Sequence, residues 1–141
     1  MGTVKTHLHR AKRQLRHLNT PKPGRFELVD VPELPFLAID GRIEPGSSPG
    51  TSDEFATNTG ALYGLAYTLK FSLKKRAEQP LDYPVMPLEG LWWVEDGKFD
   101  LAQPDNWHYT LMILLPEVVG DDDVAAALAA LLALLRGLGV G

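Results

Sequence analysis

The stretch Met86-Pro87-Leu88-Glu89-Gly90-Leu91-Trp92-Trp93 holds the side chains best suited to chemistry. In a strand, alternate side chains share a face. Glu89, Leu91 and Trp93 then point one way, and Leu88 and Trp92 more or less the other. A carboxylate two residues from an indole, inside an otherwise apolar strand, is an unusual placement. Burying it unpaired costs several kcal/mol. Glu89 therefore meets solvent in a cleft or pairs with another group. In a cleft it has two uses: countercharge for a cationic ligand, or a base that takes a proton from water.

Flat aromatic surfaces for a planar or cationic ligand are available nearby in kind: Trp93, with Trp107, Tyr109, Tyr63 or Tyr67. Tyr63 and Tyr67 are four residues apart, so on a helix their rings stack along one edge. The alternative is that these aromatics fill the core and Glu89 lies at an edge.

Other chemistries lack their residues. The absence of cysteine excludes disulfides, thiolate nucleophiles and cysteine-ligated metals. The histidines His7, His9, His17 and His108 form no cluster with metal-ligand spacing. There is no phosphate loop and no GxSxG motif. No cofactor is expected.

The elements that must position Glu89 follow from periodicity. Phe26 to Val31 reads as a short strand, and Phe36 to Gly41 as a second, with a turn at its end. Residues 44–52 are a loop. Thr51 and Glu54 have capping-box spacing. Leu62, Leu65, Ala66, Leu69 and Leu73 then form one apolar helical stripe. Lys74, Lys75 and Arg76 suit the negative end of the helix dipole, and Pro80 ends the element. Val85–Val94 and Trp107–Leu115 read as antiparallel neighbouring strands, with Glu95-Asp96-Gly97-Lys98 as a turn after the first. The order is strand, helix, strand, strand: an α+β fold with one βαββ unit, its antiparallel sheet packed by one long helix.

Two flanks surround that unit. Residues 1–25 carry seven basic side chains and no acid, so the remainder holds the other seven of 14 basic residues against all 18 acidic ones, a charge of −11. Residues 4–18 read as a basic helix, followed by a linker. The charges sit at helical spacing without aromatics, which favours a solvated amphipathic helix over a nucleic-acid arm. No second helix follows to make a helix-turn-helix. After the βαββ unit of residues 26–120, residues 121–141 form an Ala/Leu helix that is apolar on every face and so wants a partner. It is too short to span a bilayer, and Arg136 interrupts it. With no apolar signal segment, a cytoplasmic location is expected.

Four blocks, in order, resemble the GyrI-like small-molecule-binding family, most closely its stand-alone bacterial branch. They are Pro35–Gly41, Ala61–Phe71, Val85–Trp93 and Trp107–Ile113, within a likeness covering roughly residues 1–120. The resemblance implies two βαββ copies with a cleft between them. It implies binding of hydrophobic, often aromatic or cationic, small molecules. Some similar members are hydrolases that open the cyclopropane of DNA-alkylating natural products; others are effector domains of transcription regulators or sequester toxins. The motif carries over Glu89 as the central acid and Trp92 and Trp93 as pocket residues, with Tyr63, Tyr67 and Trp107 after them. Only the first βαββ copy is present, and the Ala/Leu helix stands where the second should begin. Symmetry then offers a second copy of this chain as partner, paired through the C-terminal helix and sheet to rebuild the cleft; the alternative is a half-domain that acts only with a partner chain.

Overall fold

The computed structural model describes residues 23–26, 28, 30 and 32–139. The basic helix expected over 4–18 lies outside them. The elements run β1 (Phe36–Arg42), α1 (Asp53–Lys75), β2 (Leu88–Trp93), β3 (His108–Leu114) and α2 (Asp121–Gly137). The fold is α+β, as the periodicity predicts.

β3 is the central strand. It pairs antiparallel with β1 on one side and β2 on the other, in the order β1-β3-β2. Its alternation explains its place: Tyr109, Leu111 and Ile113 are all buried against α1's side of the sheet. α1 answers with Leu62, Ala66, Leu69 and Leu73, also buried. Each leucine fully withdrawn from water contributes roughly 1.5–3 kcal/mol.

Several boundaries differ from the sequence expectation, each for a local reason. The helix cap is Ser52 rather than Thr51. The Ser52 hydroxyl accepts the Phe55 amide at 3.0 Å, while the Thr51 hydroxyl is engaged by the Ser48 amide at 3.0 Å. Glu54 does not close a box; its carboxylate accepts the Arg42 amide. Glu44 completes the cap by accepting the Glu54 amide at 3.0 Å. The Ser52 hydroxyl, then the Glu54 amide, hold the Glu44 carboxyl below its usual value.

β2 begins at Leu88, not Val85, because Pro87 has no amide to give the ladder. β1 continues through Gly41 to Arg42 instead of turning. Gly41 is needed there for room: a Cβ at this position would overlap the Tyr109 hydroxyl and ring. The strand expected at Phe26–Val31 is absent from its described residues; Phe26, Leu28 and Asp30 are exposed and unpaired in any sheet.

α2 packs on α1. The Arg76 guanidinium meets the Asp123 carboxylate at 3.4 Å, and a Leu131 methyl lies 3.9 Å from the Cβ position of Gly64. Within the described residues this helix is buried along one stripe only. Only Ala127 is fully buried, while Leu128, Leu132, Leu134 and Leu138 are exposed. A helix with a single helical neighbour can cover only one stripe. Among the described residues no helix is long and apolar enough to cross a membrane.

Candidate functional site

α1 covers one face of the sheet and leaves the other open. Register sorts the open-face residues into three rows across β1, β3 and β2. The first row is Ala38, Met112 and Glu89; the second is Asp40, Thr110 and Leu91; the third is Arg42, His108 and Trp93. Glu89 is half-buried, whereas Leu91 is 57% and Trp93 41% exposed. Among the described residues, two large exposed apolar side chains thus stand on the same face as a carboxylate. The Thr110 hydroxyl donates to Asp40 in the middle row. Trp93 stacks on His108, with ring centroids 5.9 Å apart and planes 21° apart.

The other aromatics expected around Glu89 lie elsewhere. Trp92, Trp107 and Tyr109 are on the α1 side, joined there by Phe55. Trp92 sits 5.3 Å from Tyr109 and 5.6 Å from both Phe55 and Trp107, between ring centroids. Gly90 leaves room for this cluster, since a Cβ there would come 2.9 Å from the Trp92 indole nitrogen. Tyr109 is fully buried, and its hydroxyl accepts the Asn58 amide at 3.0 Å. Burial pushes the Tyr109 phenol up, with the Asn58 hydrogen bond acting against it, so it stays protonated at neutral pH. Tyr63 and Tyr67 stack along α1 at 6.5 Å, as their spacing predicts, and Phe71 extends the ladder at 6.3 Å. That ladder is across the sheet from Glu89. Of the seven expected residues, the fold brings Glu89 and Trp93 onto one face.

A cavity of about 270 Å³ opens at the third row. It is lined by Arg42, Ile43, Val94, Glu95, Asp96, Asn106 and His108. The His108 Nε2 lies 3.7 Å from a Glu95 carboxylate oxygen. None of these residues stood out in the sequence. They come from β1, the β2–β3 connection and β3, and only strand register places Arg42 opposite His108. The legible signal was limited to Glu95-Asp96 flanking a turn glycine, Gly97, whose φ of +87° requires that residue type. Among the described residues, no group of three or more His, Asp or Glu converges to hold a metal ion.

Fold and site together define a helix-backed antiparallel sheet whose open face carries an acid and an indole. The chain is similar to three solved structures from Listeria innocua. One, an uncharacterized conserved protein, is 34% identical with a TM-score of 0.63, over 73% of this chain and 48% of that one. A hydrolase is 32% identical with a TM-score of 0.66, over 84% of this chain and 56% of that one. Another hydrolase is 29% identical with a TM-score of 0.62, over 85% and 57%. The chain therefore spans about half the length of the solved relatives it matches. No protein-family model and no curated protein matches it.

Proposed function

We propose that the chain binds a hydrophobic, aromatic or cationic small molecule against its open sheet face, as GyrI-like small-molecule-binding domains do. Glu89 serves as countercharge and Trp93 as a stacking surface. The observation that carries this reading is the open face itself: a half-buried carboxylate flanked by exposed Leu91 and Trp93. Apolar surface left uncovered beside a charge is the ordinary make-up of a ligand site. The cleft needs a second wall, which a single sheet does not supply. A second copy of this chain, paired through α2 and the sheet, would provide it. The exposed leucines of α2 support that pairing.

The two relatives described as hydrolases favour a second reading at the same site. Glu89 takes a proton from a water molecule, and the water oxygen bonds to an electrophilic ring carbon of a cyclopropane-bearing natural product. The strained C–C bond breaks, and its electron pair passes into the substrate's conjugated acceptor, which is then protonated.

One set of measurements separates these. Titration with rhodamine 6G, a cationic aromatic dye, is followed by fluorescence while light scattering gives the solution mass. A dimer that binds dye, and loses about tenfold or more in affinity in Glu89→Gln, supports the site. Turnover of a cyclopropane-bearing alkylating compound that disappears in Glu89→Gln adds the hydrolytic role. A protein that binds no dye in any assembly state sinks the binding reading.

A further inference from the structure

The cavity at the third row takes no part in the Glu89 reading and stands independently of it. Trp93 and Glu89 are four residues apart on β2, about 13 Å along the strand. Neither residue lines the cavity, so a ligand held between them leaves it unoccupied.

The lining has an unusual charge arrangement. Arg42 supplies one fixed cation, and among the described residues no carboxylate forms an ion pair with its guanidinium. Glu95 and Asp96 supply two carboxylates from the β2–β3 connection, and Asn106 supplies an amide. His108 adds an imidazole held between the Trp93 ring and Glu95. Val94 makes the remaining part apolar, whereas Ile43 is 1% exposed and belongs to the core. A simple anion would gain the guanidinium but face two carboxylates. A simple cation would gain the carboxylates but face the guanidinium. A molecule carrying both charges on a short apolar body satisfies both sets.

We propose that this cavity is a binding site for a small zwitterion of the α-amino-acid type with an aliphatic side chain. The ligand's carboxylate sits on Arg42, in the two-pronged geometry that guanidinium favours. Its ammonium faces Glu95 and Asp96, and its side chain lies against Val94. The volume admits this class: about 270 Å³ is the space of about nine waters, enough for valine with water left beside it. The site is open to solvent, so a dissociation constant of about 1 mM is expected.

The test is an NMR titration of the full chain with L-valine, reading the His108 ring protons and the Trp93 indole NH. Isovalerate and isobutylamine, which are valine without its amine and without its carboxylate, are titrated in parallel. Saturable shifts with valine, at least about tenfold weaker for each half-ligand, support the site. Loss of those shifts in Arg42→Gln, with partial recovery in Arg42→Lys and an unchanged melting curve in both, assigns the carboxylate contact. Isovalerate binding as tightly as valine would show that Glu95 and Asp96 play no part, and overturns the proposal. So does the absence of any saturable shift at about 20 mM valine.

Discussion

Leu111 and Leu91 occupy adjacent positions on neighbouring strands and point to opposite faces of one sheet. Leu111, opposite Gly90, is 2% exposed; Leu91, opposite Thr110, is 57% exposed. On the Leu111 side the aromatic cluster, the β3 residues and the α1 stripe consume each other's apolar surface. On the Leu91 side no element among the described residues packs over Glu89, Leu91 and Trp93. The same three strands thus supply the stability of the fold on one side and leave the other without a helix over it. Residue type does not distinguish the sides, since both carry leucine and tryptophan. What distinguishes them is which side the helix occupies.

That contrast can be broken by substitution. Leu111→Ala removes a buried side chain from the α1 side and should destabilise the protein by about 2–5 kcal/mol in urea unfolding. Leu91→Ser, one register step away, should change stability by no more than about 0.5 kcal/mol. Comparable losses for the two would mean that the open face is covered in solution. Between these extremes lies Tyr109→Phe, which strands the Asn58 amide on the buried side. It should cost about 1 kcal/mol, measurable by the same denaturation.

The smallest effect expected concerns Asp82, which bridges Lys70 and Lys74 of α1 at 3.1 Å each. Lys74, then Lys70, hold its carboxyl below the usual value of 3.8. Because the folded-state value is depressed, the contribution is present above the unfolded value and is lost as pH falls through the folded one. The stability difference between the wild type and Asp82→Asn should therefore be small at pH 7 and close in strong acid. A difference that widens on acidification would reverse the sign assigned to this contact.

The parts of the molecule that obey local rules were legible early. The 3.6-residue stripe of α1 and the alternation of β3 are properties of short stretches, so the sequence alone determined the order strand, helix, strand, strand. Strand alternation also separated Glu89, Leu91 and Trp93 from Leu88 and Trp92, and the structure keeps that division. Errors of one to three residues at Ser52 and Leu88 arose where neighbouring hydroxyls or a proline compete for the same hydrogen bonds. Only the tertiary structure decided which aromatics share a face with Glu89. It sent Trp92, Trp107 and Tyr109 to the α1 side and brought Arg42, His108 and Trp93 into one row. Those placements depend on β1 pairing with β3, a contact across some seventy residues. Periodicity fixes which side chains of a strand stand together, but register between distant strands is set by the packing of the whole chain.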